Sequence, residues 1–177
     1  GKPVVVLKTG SSAIGSNLTV SHTGSLSGSA ELYEALFQRV GIISVTNPSQ
    51  LLETLKFLCV VGAPKGKQVV GFTCSGGGAT MLADHAEKID LTFPEFKSTQ
   101  QTELSALLPD IATVSNPLDY TTPIWGHAEM TYPVFAKAIS AIEADTAVLV
   151  QDYPAAEIDS SKVYYSNDAM AFARASK

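Results

Sequence analysis

The sequence is poor in charge and poorer in cysteine. Charged residues make up 16% of its 177 positions and hydrophobic residues 45%, which excludes wholesale disorder and supplies apolar surface for a core. Twelve basic residues face 17 acidic ones, a net charge of −5. That balance argues against a nucleic-acid binder, although backbone amides can still hold an anion locally. Two cysteines, Cys59 and Cys74, allow at most one disulfide and fit a reducing compartment. The three histidines show no zinc spacing with them. No apolar run reaches the ~18 residues of a membrane span. The opening GKPVVVLKTG lacks a signal-peptide pattern, so a soluble, cytoplasmic protein is expected.

Several motifs are also missing. GxGxxG is absent. The stretch from Gly62 to Gln68 ends in Gln and precedes a strand, so it is not a Walker A loop. Leu26 stands at the centre of Gly24–Gly28, where a nucleophile elbow needs Ser.

What remains is an alternation of short apolar runs and amphipathic helices. Pro3–Lys8 is a β-branched run of the kind buried in parallel sheets. Thr9–Leu26 is rich in Ser, Gly and Thr, has no period, and is expected to be a long loop. Ser29 then caps a helix whose apolar face is Leu32, Leu36, Phe37 and Val40, with Gly41 at its C′ position. Ile42–Val45 is a short strand. Asn47 and Pro48 start a second helix whose apolar face is Leu51, Leu52, Leu55 and Leu58.

The segment 63–67, with Pro64 and Gly66, reads as a linker between a first unit, 1–62, and a second, 68–177. The second unit opens with a strand, Gln68–Thr73, a glycine loop, Ser75–Gly78, and a helix, Ala79–Lys88. A helix near Ser98–Leu108 follows, then a short strand at Ala112–Val114 and the turn-like SNPLDY. A helix from Ala128 to Ala144 and a strand at Thr146–Val150 lead to a polar stretch and an Ala-rich helix at the end. Strands alternating with helices give an α/β fold with a parallel sheet. Two strands and two helices in the first unit are too few for a free-standing doubly wound domain, so the chain is expected to begin partway through one.

Three places can carry chemistry. His22 heads the Ser/Gly run, where an imidazole nitrogen would sit beside hydroxyls and amides able to hold a phosphoryl group. Ser75, Gly76, Gly77 and Gly78 form a strand–turn–helix arrangement that suits a phosphate, or alternatively a turn packed tightly for structural reasons. Asp119 stands near a strand end, where α/β sheets bind ligands, and a helix-cap role competes. His85 reads as a surface or satisfied histidine, and His127, beside Trp125, as a loop residue that could line a pocket with Tyr120.

The motifs GKPVVVLKTG, SHTGSLSGS, SGGGA and SNPLDY, in this order and spacing, resemble those of NDP-forming acyl-CoA synthetases, the ADP-forming acetate–CoA ligase family related to succinyl-CoA synthetase. The resemblance runs to about Asp152 and weakens beyond it. It implies flavodoxin-like, succinyl-CoA synthetase-type units. It also implies interconversion of carboxylate, CoA and ATP with acyl-CoA, ADP and phosphate. His22 matches the phosphorylated histidine, carried on a loop that swings between two sites. Ser75–Gly78 matches the start of a helix facing that phosphohistidine, and Asn116 and Asp119 match a motif near the acyl and CoA site. The CoA-binding and ATP-grasp parts of such an enzyme, which would hold coenzyme A, ATP or ADP, and Mg2+, have no counterpart here. They are the expected partners, with a small carboxylic acid as substrate and a homo-oligomer as an open possibility. A partial chain unable to complete the reaction alone is therefore expected. The competing readings are a non-catalytic module sensing CoA or acyl-CoA, as in acyltransferases with a synthetase-like half, and a flavin-binding flavodoxin.

Overall fold

The computed structural model describes residues 2–23, 29–155, 157–158 and 160–177, and of residues 20–23 the backbone alone. Two compact units result, Gly1–Ala63 and Pro64–Lys177.

In the first unit β1 (Val5–Leu7) pairs in parallel with β2 (Ile43–Val45), Val5 opposite Ile43. The helices α1 (Ala13–Thr23), α2 (Ala30–Val40) and α3 (Pro48–Val60) accompany them. Both expected cap sets are present. Ser29 Oγ accepts from the Leu32 N–H, and Gly41 adopts the left-handed conformation, φ 71°, that ends α2. Asn47 Oδ1 accepts from the Gln50 N–H at 2.8 Å, while the Gln50 side chain reaches back to the Thr46 N–H at 2.9 Å.

The expected loop over Thr9–Leu26 is not what forms. Its middle is α1, begun by Ser12, whose Oγ accepts from the Gly15 N–H at 3.0 Å. Within it Thr19 Oγ1 donates to the Gly15 carbonyl one turn back. Hydroxyls, rather than an apolar stripe, accompany this helix, so periodicity could not reveal it. His22 belongs to α1 by its backbone; its side chain, and residues 24–28 of the Ser/Gly run, lie outside the described residues. The apolar faces expected of α2 and α3 are largely uncovered: of their residues only Phe37 is buried, and Leu32, Leu52 and Leu55 are 71%, 67% and 41% exposed. Two three-residue strands offer too little sheet to cover both helices.

The second unit has a three-stranded parallel sheet of order β4-β3-β5, with β3 (Val69–Thr73), β4 (Leu118–Asp119) and β5 (Thr146–Leu149). Val69 lies opposite Thr146, and Phe72 opposite Leu118. The central strand is buried at all five residues, as its continuous apolar run demands. Around the sheet are α4 (Gly76–Lys88), α5 (Ser98–Ser105), α6 (Ala128–Ala141) and α7 (Lys162–Ala175). Phe72, Phe135, Phe172 and Tyr120 meet edge to face in the core, with centroids 5.1 to 5.9 Å apart. Each such ring contributes about 1.5–3 kcal/mol by burial. Pro133 falls in the second turn of α6, one turn later than its usual place.

Two expectations fail here for physical reasons. Ala112–Val114 is not a strand; β4 begins at Leu118. The rung of β3 that such a strand would fill is taken by a side chain. Gly71 N–H donates to Asn116 Oδ1 at 3.0 Å, and Asn116 Nδ2 donates to the Val69 carbonyl at 2.9 Å. One carboxamide thus replaces one peptide group of a neighbouring strand, with Thr92 below it and Tyr120 above it on the same edge of β3. The glycines Gly76–Gly78 are not a loop either, but the first turn of α4, because Ser75 caps the helix three residues earlier than expected. No helix among the described residues is long and apolar enough to cross a membrane.

Candidate functional site

Order β4-β3-β5 means that the chain leaves β3 first to one side and then, from β4, crosses to the other. In such sheets ligands bind outside the carboxyl ends of the strands, at the reversal. Three segments converge there: Thr73–Gly78 after β3, Asp119–Trp125 after β4, and Val150–Tyr153 after β5.

The first segment is shaped for close approach. Ser75 Oγ accepts from the Gly78 N–H at 3.1 Å. A methyl group on Gly78 would run into Thr73 Oγ1 and sit 3.1 Å from Ser75 Oγ, whereas around Gly77 there is open space. The Gly76 and Gly77 N–H groups are first-turn donors, with no acceptor within the helix. An anion placed there gains about 0.3–1 kcal/mol from the helix field. One carboxylate is near: Asp119 Oδ2 lies 3.7 Å from where a Gly76 Cβ would stand. Asp119 Oδ1 accepts from the Thr121 N–H at 2.9 Å, so the side chain closes its own turn.

The residues singled out in sequence therefore separate. Ser75, the three glycines and Asp119 share the carboxyl edge of the sheet. Asn116 does not: its amide also donates to the Pro94 carbonyl at 2.9 Å, and all three bonds are structural. Tyr120 is wholly buried. His127 precedes α6, half-exposed, with Nδ1 3.8 Å from Glu129. His85 lies on α4.

Sequence reading missed Asp168. It is fully buried on α7, where it accepts from the Tyr120 hydroxyl at 2.8 Å and from the Gly126 N–H and Thr131 hydroxyl at 3.1 Å each. Burial pushes its carboxyl above the usual range, and these three donors pull it part of the way back. Burial and the neighbouring Asp168 carboxylate raise the Tyr120 phenol as well. The signal was present: Asp168 shares a helical face with Ala171, Phe172 and Ala175, the only charge on an apolar stripe. Beside this network Cys74 is half-buried, its thiol pushed up first by burial and then by Asp168, Asp119 and Asp152.

The first unit has its own clefts. One of about 800 Å3 opens between α2 and the carboxyl ends of β1 and β2, lined among others by Leu7, Lys8, Tyr33, Phe37 and Thr46. A smaller one of about 200 Å3 adjoins the starts of α1 and α2, with Ser11, Ser12, Ser16 and Ser29. No group of three or more metal-ligating side chains occurs among the described residues.

A parallel sheet flanked by helices, with its strand order reversing at the central strand, is the α/β architecture of the flavodoxin-like class. Residues 1–58 match the family described as succinyl-CoA ligase like flavodoxin domain. The chain is 36% identical over 118 residues to the alpha subunit of an ADP-forming acetate–CoA ligase II of Pyrococcus furiosus, covering 67% of this chain and 26% of that one. It is 30% identical over 118 residues to an ADP-forming acetate–CoA ligase of Methanocaldococcus jannaschii, covering 67% and 17%. In fold it is similar to a dinucleotide forming acetyl-coenzyme A synthetase 1 of Ca. Korarchaeum cryptofilum, solved with phosphate and ADP, with a TM-score of 0.77 and 23% identity over 99% of this chain and 37% of that one. The chain is thus a relative of the ADP-forming acetate–CoA ligases, and it spans about a quarter or less of these two curated relatives.

Proposed function

We propose that the chain is the CoA-ligase part of an ADP-forming acyl-CoA synthetase, working through a phosphate carried on His22. The observation that carries this reading is the start of α4: a Ser75 cap followed by three glycines, at the carboxyl edge of a parallel sheet, in a relative of these ligases. The reaction is the reversible conversion of a small carboxylic acid, CoA and ATP into acyl-CoA, ADP and phosphate. CoA supplies the acyl-accepting thiol and the nucleotide supplies the phosphoryl group, each held by the CoA-binding and ATP-grasp parts of the same enzyme, with Mg2+ at the latter.

The residues of this chain fit the phosphoryl group. The amides of Gly76 and Gly77 belong to the first turn of α4 and have no acceptor inside the helix, and the open space where a Gly77 side chain would stand supports the approach of an anion. Asp119 stands beside Gly76, its Oδ2 3.7 Å from where a Cβ would be, and repels a phosphoryl group unless a cation stands between them. Its place in this reading is to orient and select rather than to bind phosphate.

The test is phosphorylation of His22. The chain is combined with the CoA-binding and ATP-grasp parts of such an enzyme, ATP and Mg2+ are added, and intact mass is measured before and after acid. An acid-labile gain of one phosphate that disappears in His22→Ala is the expected result. A folded, complete protein that gains none overturns the reading.

A further inference from the structure

We propose that Asp168 is a positioning residue: its one buried carboxylate staples both ends of the loop 121–125 and so fixes that loop at the carboxyl edge of the sheet. The two oxygens divide the work. Oδ2 takes the hydroxyl of Tyr120, the residue just before the loop, and Oδ1 takes the N–H of Gly126, the residue just after it. Thr131 on α6 completes the second oxygen.

Neighbours on α7 and β5 reinforce the grip. Asn167 Nδ2 donates to the Gly126 carbonyl at 3.0 Å, and Trp125 packs against Tyr164 and Tyr165 with centroids 5.2 and 4.8 Å away. Gln151, just after β5, donates to the Tyr165 carbonyl. Gly126 has φ 78°, and a Cβ there would strike Tyr164, so α7 lies directly on the loop.

The loop needs holding. Thr121 is β-branched yet has φ 68° and ψ 151°, a conformation that persists only where the surroundings impose it. Thr121 Oγ1 and Trp125 Nε1 are both buried, with no hydrogen-bond partner among the described residues. Left to itself, such a loop relaxes to a better-satisfied conformation. Tyr120 is anchored twice, by its N–H to the Thr73 carbonyl and by its hydroxyl to Asp168, so the staple also fixes the strand end that carries Asp119. That this edge serves the ligase reaction rests on the function proposed above; the staple itself does not.

Trp125 is the only tryptophan, so its emission reports the loop. The experiment compares the 177-residue chain with Asp168→Asn and Asp168→Ala, by tryptophan emission and by amide exchange, without any ligase activity. Asn keeps the shape and one acceptor oxygen for Gly126. Asp168→Ala is expected to red-shift Trp125 emission and to speed exchange at Gly126 at least ~10-fold, the size set by losing one hydrogen bond to a charged group. Exchange along Val69–Thr73 stays at the native rate, and Asp168→Asn restores most of the emission. If Asp168→Ala does not fold, Tyr120→Phe and Thr131→Val each remove one bond, and each is expected to shift the emission part of the way. Unchanged emission in these variants, or exchange rising equally along β3, overturns the proposal. Because neither readout needs acyl-CoA formation, a protein that lacks ligase activity yet behaves as described refutes the function and leaves the staple standing.

Discussion

The paired substitutions Gly77→Ala and Gly78→Ala separate packing from ligand approach at the start of α4. Both add one methyl group to the first turn of the same helix. An Ala there gains about 0.5–1 kcal/mol over Gly when nothing obstructs it. Gly77 faces open space, so Gly77→Ala should stabilise by that amount. At Gly78 the methyl overlaps Thr73 Oγ1. Thr73 is buried and β-branched on the central strand, so it cannot swing aside, and overpacking costs about 1–3 kcal/mol. The two variants should therefore differ by about 2 kcal/mol, or about 5–10 °C in melting temperature for a unit of this size. Thermal melts followed by circular dichroism measure it. Equal melting temperatures would refute the packing argument. Phosphoryl transfer in the complete enzyme supplies the second half. A methyl at Gly77 stands in the path of an anion, so Gly77→Ala should lose at least ~10-fold in rate, the cost of one charge-assisted hydrogen bond. Native rates in that stabilised variant would remove α4 from the phosphate site.

Asn116→Ala leaves the Gly71 N–H and the Val69 carbonyl without partners and should cost about 2–4 kcal/mol in a urea melt; Asn116→Asp, which cannot donate to either carbonyl, should be no better. Cys74 should react with iodoacetamide at pH 8 more slowly than the exposed Cys59, read by peptide mass mapping, because burial and three carboxylates disfavour its thiolate; equal labelling contradicts that environment. The pH dependence of stability carries a sign. Asp168 has a raised carboxyl in the folded state, so between its unfolded value near 3.8 and its folded value the native chain binds more protons, and stability falls as pH rises through that window. Tyr120, Cys74 and His127 are the titratable groups facing it, and the first two stay protonated there. Asp168→Asn should abolish this part of the slope in melts from pH 4 upward; an unchanged slope assigns it elsewhere.

Much of the fold was legible because its signals are local. Ser29, Gly41, Asn47 and Pro48 mark helix ends by chemistry confined to a few neighbouring residues, and all four act as read. The run Val69–Thr73 announced a central strand by being apolar throughout. The failures were non-local or lacked a period. Helix α1 has Ser and Thr where an apolar stripe is sought. Ala112–Val114 is apolar enough for a strand, but the rung it would occupy was already filled by Asn116. At the site, Ser75 and its glycines could be found because a cap and a turn are sequence-adjacent. Asp168 stood out only as a charge on an apolar stripe; its role could not be read, since its partners Tyr120, Gly126 and Thr131 lie 48, 42 and 37 residues away. The apolar faces of α2 and α3 were read correctly as faces, but a face does not say what covers it.

The carboxamide of Asn116 has a consequence for the order of folding. It meets Gly71 across 45 residues, and the Asp168 carboxylate meets Tyr120 across 48. Contacts of such span form only after long loops have closed, which slows folding more than it weakens the folded state. Until Asn116 arrives, the nascent β3 presents a run of apolar residues with bare amides along one edge, open to a second chain. A single polar side chain thereby acts as a late latch. Damage to it should appear as aggregation during synthesis as well as in the melt of the finished molecule.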